Sequence, residues 1–257
     1  MQRLWFIFCK GDIMLEKLPD GSYTIPEGEQ APLPTKEWTH ILNVTPMDNG
    51  EEVKTFMIDN PVSNHPRYEM CGLRKSFYHL PTDLYLKAGK CHELIYWDQN
   101  TKYCGVCGFP MKMHTDISKR CPNCGKEAWP TVATAIIVLI HRGDEVLLVH
   151  ARNFKGNFYG LVAGFVETGE TLEEAVHREV MEETGLTITN LCYFGSQPWP
   201  YPSGLMVGFT ADYVSGDIHL QCEELSRGAW FTKDNLPEIP EKLSIARQIL
   251  DDWLAKA

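Results

Sequence analysis

This 257-residue chain lacks any apolar run approaching the roughly 20 residues that a membrane-spanning helix needs. A membrane partner is therefore not expected. Near the start, Leu4 to Cys9 is apolar but is broken by Lys10 and Asp12. A secretory leader has a longer apolar region and a small-residue cleavage site, so this stretch is expected to form a strand. An excess of positive charge is also missing: 24 Lys and Arg face 34 Asp and Glu, a net charge of −10. Proteins that live on nucleic-acid phosphates usually carry the opposite sign, because affinity comes from counterion release. A general nucleic-acid binder is disfavoured, whereas an acidic site that recruits divalent metal is compatible. Internal repeats and low-complexity segments are absent from the sequence pattern.

What is present suits a globular protein. At 44% hydrophobic residues a sizeable core can form, and the length fits two or three compact units. Residues 1–98 hold short strand-like runs, Leu4–Phe8 and Glu51–Ile58 among them, separated by turn signals such as Asp48-Asn49-Gly50. A mostly-β N-terminal domain is expected there. Residues 99–130 are rich in Cys, Gly and Lys. From 131 to 257 the texture is mixed: buried strands at 135–140 and 145–150, a helix at 171–184, further strands, and a C-terminal helix from about Glu241. The class is α/β or α+β.

Four of the nine cysteines form two C-x-x-C pairs, Cys104 with Cys107 and Cys121 with Cys124, thirteen residues apart. Each turn can aim two thiolates at one ion, and two turns close a tetrahedral shell. Gly105, Gly108 and Gly125 fit the tight backbone such knuckles require. A structural zinc ribbon is expected, with no open position for catalysis and a redox pair as its main rival. The other five cysteines, Cys9, Cys71, Cys91, Cys192 and Cys222, are scattered. Such usage suggests a reducing compartment, hence a cytoplasmic location.

The segment from Gly164 to Leu186 carries the most chemistry. Thr171 followed by Glu174 is a capping box that starts a helix, and Gly185 is a natural stop. At about 100° per residue, Leu172, Ala175, Val176 and Val180 define an apolar arc. Glu179 and Glu183 fall inside it, one turn apart, with Glu182 at its edge. Acidic helices ordinarily show a solvated face, and Glu173 and Glu174 fit that description. Glu179 and Glu183 point the other way, where they repel each other and lose hydration unless a hard cation joins them. Arg178 can reach Glu174 and Glu182 at i±4 and orient a carboxylate.

Gly164, Glu170, Arg178, Glu179, Glu182, Glu183 and Gly185, with aliphatic Val180 and Leu186, resemble the Nudix box G-x5-E-x7-R-E-U-x-E-E-x-G-U in full. Seven fixed residues at fixed spacing arise by chance on the order of once in a hundred million starts. The resemblance implies a Nudix α/β/α sandwich with a mixed sheet, Mg or Mn as cofactor, and water as nucleophile. It implies Glu179 and Glu183 as metal ligands together with the Ala163 carbonyl, Glu182 as ligand or general base, and a structural Glu170 holding the loop.

A second segment, Ser196-Gln197-Pro198-Trp199-Pro200-Tyr201-Pro202, stiffens its backbone with three prolines and presents two rings able to stack on a flat base. A Pro-rich structural loop with a buried Trp is the plainer alternative. The segment resembles SQPWPFPxS of the NADH pyrophosphatases, with Tyr201 for Phe and Gly204 for the final Ser; Ser203 next door can supply the missing hydroxyl. This resemblance implies cleavage of NADH or NAD to nicotinamide mononucleotide and AMP, with removal of NAD caps from RNA as a further activity, in a homodimer. It implies substrate contacts from Gln197, Pro198, Trp199, Pro200, Tyr201, Pro202, Ser203 and Gly204, a backbone contact from Ala246, and a further metal carboxylate from Glu224. Asp116 and Trp129 stand where the family often has Glu and Tyr, and Arg74 or Lys75 is a candidate cation. The rival readings are a Nudix hydrolase of ADP-ribose or another dinucleotide, and a zinc-ribbon binding protein with an inactive Nudix domain.

Overall fold

The computed structural model describes residues 2–154 and 156–256. They fall into two compact units: the chain up to Thr131 with Pro200–Ser203, and Val132–Trp199 with the chain from Gly204 onward.

The second unit contains β11 (Ala133–Arg142), β12 (Glu145–Ala151), β13 (Val162–Phe165), α2 (Leu172–Thr184), β14 (Thr187–Pro198), β15 (Gly204–Ser215), β16 (Leu225–Thr232) and α3 (Ile245–Ala255). Its sheet runs β14-β15-β11-β12-β16, with β13 also on β11. The β11–β15 pair is parallel and the other pairs antiparallel, so the sheet is mixed. The continuous apolar run of β11 is explained by burial on both faces. Ile136, Val138 and Ile140 pack with α2 residues Ala175, Val176 and Val180, while Ile137 and Leu139 pack with α3 residues Ile245 and Ile249. Each such side chain contributes about 1.5–3 kcal/mol by leaving water. The result is an α/β/α sandwich.

The first unit contains β1 (Arg3–Cys9), β2 (Asp12–Lys17), β3 (Tyr23–Thr24), β4 (Glu27–Gly28), β5 (Leu42–Val44), β6 (Glu52–Met57), β7 (Tyr68–Gly72) and α1 (Thr82–Asn100), followed by the ribbon strands β8 (Lys112–Thr115), β9 (Ser118–Arg120) and β10 (Glu127–Ala128). Strands dominate, as expected, but α1 was not foreseen. Its buried residues Tyr85, Ala88, Gly89, Cys91, Leu94, Ile95 and Trp97 keep helical spacing. Small and polar-tipped residues on that face, with a glycine in the middle, dilute the apolar signal. The C-terminal helix also begins later than Glu241: Ser244 caps it and Ile245 is its first residue.

The sheets of the two units share a connectivity. In the first, β1 pairs antiparallel with β2 and β4 and parallel with β6; β6 pairs with β5, and β2 with β7. The partners β11, β12, β13, β15, β14 and β16 repeat this pattern in the second. A short 3-10 turn and a long helix then follow in each. The sequence shows no repeat, but the topology does. Two elements differ: β3, which extends the first sheet beyond β2, has no counterpart strand among the described residues of the second, and α2 lies between β13 and β14, whereas residues 29–41, between β4 and β5, form no helix.

Candidate active site

Helix α2 begins as the sequence reading expected. Thr171 accepts from the Glu174 amide, and the Glu174 carboxylate accepts from the Thr171 amide, closing the capping box. Gly185 ends the helix at φ +71, the left-handed region that glycine enters without strain. Glu183 is 4% exposed. Glu179 is half-buried, and Glu182, His177 and Glu173 face solvent. Glu179 lies against β13 at Gly164, where any Cβ would overlap its carboxylate. Gly164 is thus a notch for the Glu179 side chain.

Arg178 organises the loop before the helix. Its Nε and Nη2 donate to the two oxygens of Glu170 at 3.0 and 2.6 Å, and Nη2 also donates to the Phe165 carbonyl at 3.0 Å. Nη1 donates to Glu179 at 2.9 Å and Glu182 at 3.1 Å. The expected reach to Glu174 is not made, because that carboxylate is occupied by the cap. Glu170 also accepts from the Glu167 amide at 2.7 Å, and the Arg178 fork holds its carboxyl down at about 2. It fastens the loop.

The inward carboxylates bear the opposite stress. Burial, then the charges of Glu179, Glu224 and Glu182, push Glu183 up to about 8. Burial also raises Glu179, against the pull of Arg178 and with the push of Glu182 and Glu224. Glu224, at the foot of β16, was named from resemblance alone, and its field reaches both. Ala163 sits on β13 opposite Ile137, one residue before the notch. Oxygen donors that are desolvated and mutually repelling fit a hard divalent cation, which would relieve both costs. No three of these acids bring oxygens within 4.8 Å of one another among the described residues. Arg178 stands between two of them.

The ribbon cysteines do converge. The ligand sulfurs of Cys104, Cys107, Cys121 and Cys124 all lie within 4.8 Å of one another. Gly108 and Gly125 take φ of +72 and +76, and their amides donate to the Cys104 and Cys121 carbonyls, forming two matching knuckles. A hydrogen bond from Asn123 lowers Cys107 to about 6. Four soft thiolate donors gathered this closely suit zinc, which four sulfurs can enclose tetrahedrally. Buried Lys119 on β9 reaches Asp98 at 2.7 Å and the carbonyls of Asp98 and Thr101, tying the ribbon to the end of α1.

The Pro-rich segment is split by its packing. Gln197 does not face open space: its amide donates to the Leu243 carbonyl and accepts from the Ile245 amide, each at 2.7 Å, clamping the start of α3 beside Ala246. Pro198 ends β14, and the Trp199 amide donates to the Gly204 carbonyl at 2.7 Å. Trp199 is half-buried. Tyr201 differs from the expectation of a presented ring, since it packs against the first unit's core and shares a 2.7 Å hydrogen bond with the Tyr85 hydroxyl. Ser203 donates to the Thr131 carbonyl at 2.9 Å, which engages the hydroxyl considered as a replacement at position 204. Arg74 lies close enough for its charge to act on Tyr201. Asp116 accepts from Asn43 at 3.3 Å, and Trp129 is exposed after β10.

Residues 130–253 match the NUDIX domain family, and residues 2–97 match the family described as NADH pyrophosphatase-like rudimentary NUDIX domain. Proteins named "NAD-capped RNA hydrolase NudC" are similar over most of the chain. That of Pseudomonas aeruginosa is 40% identical over 208 residues, 80% of this chain and 74% of that protein. That of Klebsiella pneumoniae is 35% identical over 259 residues, 95% and 97% of the two chains. The chain belongs to the Nudix family. A NUDIX hydrolase structure from Nitrosomonas europaea shares the fold at a TM-score of 0.52 and 20% identity, covering 60% of this chain and 91% of that one.

The Nudix assignment of residues 2–97 agrees with the connectivity that the two sheets share, and identifies what the sequence pattern left obscure. The rudimentary unit lacks the counterpart of α2 and with it the inward carboxylates. Sequence reasoning also missed Tyr85, Gly89 and His92 on α1, all turned toward Pro200–Pro202. A glycine inside a long helix was the available signal.

Proposed function

We propose that this Nudix protein hydrolyses the diphosphate linkage of NADH or NAD to nicotinamide mononucleotide and AMP, and removes NAD caps from RNA 5′ ends. One observation carries the reading: two desolvated carboxylates, Glu179 and Glu183, on the core-facing side of α2, in a chain 35–44% identical to proteins named NAD-capped RNA hydrolase. Water adds its oxygen to one phosphorus, the bridging P–O bond breaks, and two monophosphates leave.

Glu179, Glu183, Glu224 and the Ala163 carbonyl would hold Mg or Mn, with Glu182 as a further ligand or as the base that takes the proton from water. When bound, the metal neutralises the diphosphate oxygens, lowers the pKa of water and stabilises the leaving phosphate. Glu182 is exposed to solvent and is held by Arg178. Arg178, pinned by Glu170, keeps Glu179 and Glu182 from swinging out. Gln197, Pro198, Trp199, Gly204 and Ala246 of the second unit, and Pro200–Ser203, Asp116 and Trp129 of the first, are each candidate contacts to the dinucleotide. Cys104, Cys107, Cys121 and Cys124 would hold structural zinc. A division at residues 98 and 130, a homodimer and a cytoplasmic location complete the proposal.

Incubation of the protein and Mg or Mn with NADH, ADP-ribose and NAD-capped RNA, with products separated by chromatography, tests it. NADH and capped RNA cleaved in preference to ADP-ribose supports it. ADP-ribose cleaved while NADH stays intact contradicts the substrate and leaves the hydrolase.

A further inference from the structure

The rudimentary unit carries no acidic helix, yet one face of α1 meets the Pro-rich turn residue by residue. Pro200 is buried. Opposite it stands Gly89, where a Cβ would come 3.0 Å from the Pro200 Cγ. A mid-helix glycine costs roughly 0.5–1 kcal/mol relative to alanine. Position 89 accepts that cost where any larger residue would press on the turn. One turn earlier, the Tyr85 hydroxyl binds that of Tyr201 at 2.7 Å. One turn later, His92 packs against Phe8, and the backbone of Pro200 and Pro202 comes close to its ring. Its Nδ1 is buried and has no hydrogen-bond partner among the described residues. Ser203 is held by the Thr131 carbonyl. Four consecutive residues, 200–203, are therefore packed into the first unit, while their neighbours Trp199 and Gly204 are joined to each other in the second.

We propose that Tyr85, Gly89 and His92 are positioning residues for Pro200–Ser203, the part of the turn that packs in their own unit. They touch neither substrate nor metal; they fix the conformation of the segment that does. The inference rests on the reading that this turn meets the dinucleotide. It gives a unit without catalytic carboxylates a part in substrate selection, through KM rather than through the chemical step.

Steady-state kinetics on NADH with Gly89→Ala, Tyr85→Phe and Trp199→Ala tests both layers separately. Gly89→Ala keeps a helix-favouring residue and should raise KM about tenfold, Tyr85→Phe about threefold, each with kcat nearly unchanged. On a Pro200→Ala background, Gly89→Ala should raise KM no further, because the colliding Cγ is gone. Wild-type KM in Gly89→Ala and Tyr85→Phe, beside a raised KM in Trp199→Ala, overturns the positioning role and leaves the turn as a binding element. An unchanged KM in Trp199→Ala removes the premise itself. A fall in kcat with KM constant also overturns the proposal.

Discussion

At the scale of single residues, the site depends on what Gly164 leaves out. Its missing side chain is the space in which the Glu179 carboxylate sits. Gly164→Ala should displace that carboxylate and lower kcat about 10²-fold, the usual cost of shifting a catalytic group by an ångström. Circular dichroism should remain that of the wild type. Wild-type turnover in this variant would show that Glu179 works from another position. The inward placement of Glu179 and Glu183 was legible from helical periodicity, which puts both acids on the apolar arc of α2. The notch was not legible, because it depends on β13 lying across the helix. Nor were the fates of Gln197 and Ser203, whose polar groups are engaged by backbone far away in sequence.

At the scale of elements, α2 was the most readable because its signals agree: cap, apolar stripe and glycine stop. Thr171→Ala removes one side of the capping box and should destabilise the second unit by about 1 kcal/mol in chemical denaturation. Helix α1 was the least readable, and its end makes a different prediction. Burial raises the Asp98 carboxyl, but hydrogen bonds from His40 and Lys119 outweigh it and hold the pKa below its ordinary value of 3.8. A lowered carboxyl stabilises the fold above its unfolded pKa, and that contribution disappears as pH falls through the folded value. Asp98→Asn should therefore cost roughly 3 kcal/mol at neutral pH, by leaving Lys119 buried without its counter-charge. The gap from wild type should narrow as pH falls below 3.8. Equal melting of the two proteins at pH 7 would contradict this account of how the ribbon is held.

At the scale of the whole molecule, the sequence conveyed one Nudix unit and the fold contains two, one of them lacking a counterpart of α2. The repeat is invisible in the sequence because a shared strand order does not require shared side chains. The ribbon was legible, since C-x-x-C spacing is itself the geometry of the knuckle. It should carry one zinc per chain by mass spectrometry under native conditions. Cys107→Ser should lose that zinc and expose residues 99–130 to protease, as expected when metal binding supplies the folding energy of a small segment. Retained protection without zinc would mean that the ribbon's own packing suffices.

The central claim, that the inward carboxylates of α2 make a metal-dependent hydrolase of NADH, is tested most directly by product analysis. Wild type and Glu183→Gln are incubated with NADH and Mg or Mn. The account predicts AMP and reduced nicotinamide mononucleotide from wild type, and a rate lower by roughly 10²-fold or more in Glu183→Gln, since metal charge stabilisation is worth several kcal/mol. Equal turnover by the two proteins, or none by a folded wild type, would contradict it.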